Sequence, residues 1–95
     1  MRHNLKIERR WLAPVTSGHK KAEIRRADRD FSVGDELLLY TPDRSDAEIA
    51  VITHVLPLDE IPGYDGSPFV SLSIRPLRRL HGQAVIEELE MGSFV

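Results

Sequence analysis

The run AEIAVITHVL, residues 47–56, constrains the fold more than any other stretch of the chain. It is rich in Val, Ile and Thr, whose branched side chains crowd a helix and pack well on a pleated surface, so it reads as a strand. Shorter runs repeat that message. NLKIE alternates, with Leu5 and Ile7 on one face and Asn4 and Lys6 on the other. KAEIRR alternates too, which predicts Ala22 and Ile24 inward and Glu23 with Arg25 on the opposite side. ELLLYT reads as a buried strand. FVSLSI reads as a last strand that Pro76 ends, with Phe69, Leu72 and Ile74 among its apolar members.

Turn chemistry separates these runs. In SVGDE, Gly34 supplies backbone freedom and Asp35 can bond neighbouring amides. TPDRSD is a loop, and PLDEIPGYDGSP is a long surface loop of the kind that often carries function. ERRWLAPVTSG places Trp11, Leu12 and Val15 at helical spacing, with Gly18 as its stop and Pro14 keeping it short. The tail offers a further short amphipathic helix over Gln83–Met91, and fits a frayed end equally well. Five to six short strands with one short N-terminal helix predict an α+β chain folded as a small mixed β-barrel. The barrel domain spans residues 1–76, and the C-terminal tail spans 77–95.

The chain's 95 residues suffice for one modest core. It has no cysteine, which excludes disulfides and thiolate metal sites. His3, His19, His54 and His81 lack ligand spacing, so no metal and no cofactor are expected. No stretch has the apolar length of a membrane span, and the charged start leads into no apolar run. A cytoplasmic protein with no membrane partner is the expectation. The net charge of −2 conceals an asymmetry: residues 1–29 carry nine Lys/Arg against three Asp/Glu, and residues 30–95 carry four against twelve. Either one cleft is basic on an acidic body, or the two segments pair across the fold.

The most basic stretch, SGHKKAEIRRADRDFSVGD, contains the spacing Gly18-x-Lys20-x-x-Glu23-x-Arg25. This resembles the signature of the ASCH domains of the PUA-like superfamily. His3, Leu5, Lys6, Asp28, Arg29, Phe31, Val33, Gly34 and Asp35 extend the likeness over residues 3 to 75, toward a small bacterial and phage subgroup without an assigned function. The resemblance implies a PUA-like barrel whose signature residues line a cleft for RNA or a nucleobase-like ligand. Some ASCH relatives are enzymes: one group hydrolyses the acetyl amide of N4-acetylcytidine, and others are ribonucleases. In the amidohydrolase group a threonine stands where this chain has Glu23, and the second acid comes from a helical insertion; Glu60 in the long loop is a candidate substitute here.

The residues themselves suggest what such a cleft can do. Glu23 and Arg25 lie two apart on a strand and point the same way. Arg25 offers a planar donor fork for a phosphate or a base edge, and Lys20 a point charge. Lys6 enters from the first strand, Arg29 from a loop, and Tyr64 in the long loop is placed to stack on a base. An internal ion-pair network of Glu23 with Lys20 and Arg25 is the competing explanation.

Three functions follow. The leading one is an RNA- or nucleotide-binding module that uses Lys6, Gly18, Lys20, Glu23, Arg25, Arg29 and Tyr64. The second is a hydrolase acting on a modified nucleoside or on RNA, with Lys20 as base or nucleophile and Glu23 as proton shuttle. The third is a protein-interaction domain whose partner docks on the acidic tail around Glu87–Glu90.

Overall fold

The structure, a computed structural model, describes residues 1–92. Residues 93–95, the end of the tail expected from 77 onward, lie outside the described residues. The chain runs β1 (Arg2–Lys6), α1 (Arg9–Thr16), β2 (Ala22–Arg26), β3 (Glu36–Tyr40), β4 (Asp46–Pro57), a 3₁₀ turn (Leu58–Glu60), β5 (Phe69–His81) and α2 (Gln83–Gly92). The five strands form one sheet in the order β1-β3-β4-β5-β2, with β1 parallel to β3 and every other pair antiparallel. It curls into a half-barrel whose edges are β1 and β2. The α+β class and five strands agree with the sequence. The single N-terminal helix of the fold reading does not hold: α1 comes after β1, within ERRWLAPVTSG, and α2 is a second helix where the tail fitted a helix or a frayed end.

Each helix covers one face of the sheet. On the α1 side, Leu12 and Val15 pack into a core with Leu5, Leu39, Ile52 and Leu72. On the other side, Val85 of α2 closes over Leu38, Ala47, Ile49 and Leu80. Double cover explains why Leu37, Leu38 and Leu39 are all fully buried although neighbours on a strand point opposite ways.

Two expectations are corrected. Pro76 does not end the last strand, since β5 runs on to His81. The register shifts between Ile49 and Ala50, so Pro76 pairs with Ala50 and Arg78 with Ile49, leaving Leu77 as the extra residue of a bulge. A bulge is where a strand tolerates a residue without an N–H. The phase of β2 is also reversed. Glu23 is buried while Ile24 is 56% exposed. Its partner β5 decides this: Glu23 sits opposite Leu72 and Arg25 opposite Val70, both core residues, and Ile24 opposite Ser71. Cross-strand partners share a face, so the core side of β5 draws Glu23 and Arg25 inward against their polarity.

Ion pairs tie α1 to the β3–β4 turn. Arg9 bonds Asp46 at 2.8 Å and Asp43 at 2.9 Å, and Asp46 also takes His81 at 2.8 Å. Inside, Thr16 at the end of α1 donates to the buried Glu48 at 3.0 Å and accepts from Arg79 at 2.9 Å.

Leu72→Ala is expected to cost about 2–5 kcal/mol in urea unfolding, whereas Ile24→Ala stays within about 0.5 kcal/mol. Equal costs would contradict the observed phase of β2. Acid should destabilise the fold through known groups. The hydrogen bond from Arg9 holds Asp46 well below its ordinary 3.8, and those from Thr41 and Ser45 do the same for Asp43. A carboxyl depressed in the folded state contributes stability above its unfolded value and loses it as pH falls toward the folded value. The Tm should therefore fall on acidification below about pH 4, and Asp46→Asn should flatten that fall.

Candidate functional site

The site begins where α1 ends. Gly18 takes the left-handed conformation (φ 82°) that lets the chain leave the helix, and its N–H donates to the Val15 carbonyl at 3.0 Å. A side chain at position 18 would meet nothing within 4 Å, so the glycine is needed for its backbone angle and not for space. Two residues on, the Lys20 N–H donates to the Pro14 carbonyl at 2.9 Å. This fixes the lysine between the helix end and β2.

There the motif closes on itself. Lys20 Nζ donates to Glu23 Oε1 at 2.6 Å and to the Ala22 carbonyl at 2.6 Å. Arg25 donates to Glu23 Oε2 from Nε at 2.8 Å and from Nη2 at 2.5 Å. The same Nη2 also donates to the Lys6 carbonyl on β1 at 2.6 Å. The Glu23 side chain keeps 8% of its surface exposed, against 22% for Lys20 and 25% for Arg25. A buried carboxylate is thus bonded by a cation at each oxygen, as a buried charge requires. Arg25 does one thing more. Among the described residues no backbone ladder joins the sheet edges β1 and β2, and Arg25, on β2, reaches the Lys6 carbonyl of β1.

Beside this clamp lies a solvent-open hollow of about 700 Å³. Lys6, Lys20, Glu23 and Arg25 line it, so four of the residues expected from the sequence come together. Gly18 sets the path of the chain at its end. Two others stand apart. Arg29 bonds Asp28 at 3.4 Å, lies over Phe31, and borders a separate smaller hollow with Val55 and Pro57. Tyr64 is 55% exposed in the long loop and lines none of the hollows described. Glu60, in the 3₁₀ turn, does not line the clamp's hollow either.

The hollow also holds residues that sequence reasoning missed as site residues: Trp11, Phe69 and Arg26. Trp11 shares helical spacing with Leu12 and Val15, yet it is 42% exposed on the flank of α1. The signal was its place after Arg9 and Arg10, beside the true core pair Leu12 and Val15. Phe69 is held outside the core by its position opposite Arg26 at the end of β2.

Other positions of the resemblance are structural. His3 is buried, bonds Asp35 Oδ2 through Nε2 at 2.9 Å, and packs at a tilt of 58° against Phe31 with ring centroids 4.7 Å apart. The bond from His3 holds the Asp35 carboxyl below its usual range, helped by the Ser32 N–H. Among the described residues no group of three or more His, Asp or Glu is placed to hold a metal ion, and no helix is long and apolar enough to cross a membrane.

Glu23→Ala leaves two cations facing each other across an emptied site. It should cost about 2–4 kcal/mol in urea unfolding, toward the lower end of buried-pair losses because both cations are partly solvated. A loss below about 0.5 kcal/mol would mean that the clamp is a surface ion pair.

Comparison with solved structures places this geometry in a known fold. A crystal structure of a tyrosine-to-phenylalanine mutant of ZmASCH from Zymomonas mobilis aligns with TM-score 0.63 at 14% identity, covering 90% of this chain and 79% of that one. A serine-to-alanine mutant of the same protein aligns with TM-score 0.60 at 12% identity, covering 84% and 73%. The hypothetical protein PH0355 aligns with TM-score 0.61 at 13% identity, over 81% of this chain and all of that one. The fold is that of an ASCH domain. No curated protein matches the chain. A family model described as "Domain of unknown function (DUF3850)" matches residues 2–58, which include the whole clamp, and the chain belongs to that family.

Proposed function

We propose that this chain is an RNA- or nucleotide-binding module whose ligand lies in the hollow beside Glu23. The carrying observation is the donor inventory of the clamp. Lys20 has three N–H donors and uses two, and Nη1 of Arg25 has no hydrogen-bond partner among the described residues. Both Glu23 oxygens are occupied. The clamp therefore has donors to spare, while its own carboxylate is engaged and Glu8 on the hollow's edge is paired with Arg10, which suits phosphate or carbonyl oxygens. Four Lys/Arg and two Glu line the hollow, and Lys6 makes no ion pair among the described residues, so an excess positive charge faces the ligand. Within this reading the ion-pair network is part of the binding site: Glu23 holds the two cations at fixed positions.

The hydrolase reading has less support. It asks Lys20 to accept a proton, yet its ammonium donates to two oxygens at 2.6 Å. It also asks for a closed chamber with a second acid, whereas the hollow is open and Glu60 lies elsewhere. The protein-docking reading loses support as well. α2 packs on the sheet through Val85, and Glu88 is spent on Arg2 at 2.6 Å and Arg78 at 3.0 Å.

Fluorescence anisotropy with a labelled RNA hairpin carrying a single-stranded tail tests the proposal. The small site should contact about two or three phosphates, giving a slope near 2 in log Kd against log salt. Lys20→Ala and Arg25→Ala should each weaken binding and make that slope shallower. Absence of binding at low salt, or affinity indifferent to both substitutions, would overturn the reading.

A further inference from the structure

Trp11 and Phe69 are large apolar side chains left 42% and 39% exposed in a small domain, and both line the clamp's hollow. Single exposed hydrophobics need no explanation, but two aromatic rings on one concavity do. Trp11 comes from α1 and Phe69 from the start of β5, so two different elements wall the same space. Each ring carries a cation. The Arg10 guanidinium lies 4.8 Å from the Trp11 ring and that of Arg26 lies 5.3 Å from the Phe69 ring. Arg10 is also paired with Glu8 at 2.8 Å, so of these two cations only Arg26, which lines the hollow, adds positive charge to it, and each ring keeps its other face for a ligand.

Resting on the RNA-binding reading above, we infer that the ligand is a single-stranded RNA segment, with an unpaired base stacking against Trp11 and Phe69 while its phosphate meets Lys20 and Arg25. Aromatic rings bind the face of a base, and in a duplex those faces are already stacked. A duplex would offer the hollow phosphates alone and leave both rings in water. An apolar peptide would cover the rings and leave the spare donors of the floor unmatched, at a cost. A single strand satisfies rings and donors together. The hollow is open to solvent, so a strand can reach the rings and the donors from outside. Tyr64, which the sequence suggested for stacking, is replaced in that role by Trp11 and Phe69.

Trp11 is the only tryptophan, so intrinsic fluorescence reports this wall alone. Titration with a short unstructured RNA strand should quench it, and the matching blunt duplex should not. By anisotropy of the labelled strand, Trp11→Ala and Phe69→Ala should each weaken binding by about tenfold or more, and Trp11→Phe should restore most of the affinity. Both side chains are well exposed, and thermal unfolding of the variants checks that they fold. Equal affinity for strand and duplex, or alanine variants that bind as the wild type does, would overturn the stacking inference and leave the clamp reading standing. Failure of the wild-type protein to bind any RNA would overturn both.

Discussion

One carboxylate organises this molecule. Glu23 sits on the core side of an edge strand because the β5 residue across from it, Leu72, belongs to the core. A lone carboxylate there would be costly, and two cations within 3 Å offset that cost. Their positions then follow from Glu23. Lys20, held at the helix end by its own backbone, turns its ammonium onto the carboxylate, and Arg25 reaches the Lys6 carbonyl across the open side of the sheet. The half-barrel is thereby linked at its two free edges by a guanidinium where a full barrel would have a hydrogen-bonded ladder. Unlike a ladder, that link leaves N–H groups unused and a hollow beside it.

The resemblance noted in the sequence covers positions that do two different jobs. Lys6, Lys20, Glu23 and Arg25 meet at the hollow. His3, Phe31 and Asp35 form a buried pin that fastens the first strand to the turn before β3. They are alike only in being hard to replace physically. The pin combines a tilted ring contact with a charge-assisted bond, and the clamp combines a buried charge with its two partners. The charge asymmetry of the chain resolves in a similar double way. Part of the basic N-terminal segment pairs with the acidic remainder, as Arg2 does with Glu88 and Arg9 with Asp46. The rest, around Lys6, Lys20, Arg25 and Arg26, gathers at the hollow.

Much of this was legible in the residues, and the failures have definite causes. Strand content, the turns at Gly34 and after Tyr40, and the glycine exit from α1 follow from local chemistry, which the sequence states directly. That Glu23 and Arg25 share a side follows from strand periodicity. Which side they take does not, because hydrophobicity favoured Ile24 and only pairing with β5 reverses the choice. Pro76 reads as a strand end until the bulge at Leu77 lets β5 run past it. Trp11 and Phe69 read only as apolar members of a helix and a strand, because aromatic character does not say whether a ring is buried or lines an open hollow. Their exposure depends on α1 and the β2–β5 pair ending beside one another, a tertiary fact no local pattern carries. Arg29 and Tyr64 lie away from the clamp's hollow for the converse reason: suitable chemistry on a loop has no element to aim it there.

Side-chain NMR of the ¹⁵N-labelled protein during titration with a short single-stranded RNA tests most directly whether the clamp and its hollow form the binding site. The Arg25 Nε–H and Trp11 Nε1–H resonances should move together and saturate at the same RNA concentration, with the amides of α2 and of residues 58–68 unmoved. Shifts confined to α2 or that loop, with Arg25 and Trp11 unchanged, would contradict it.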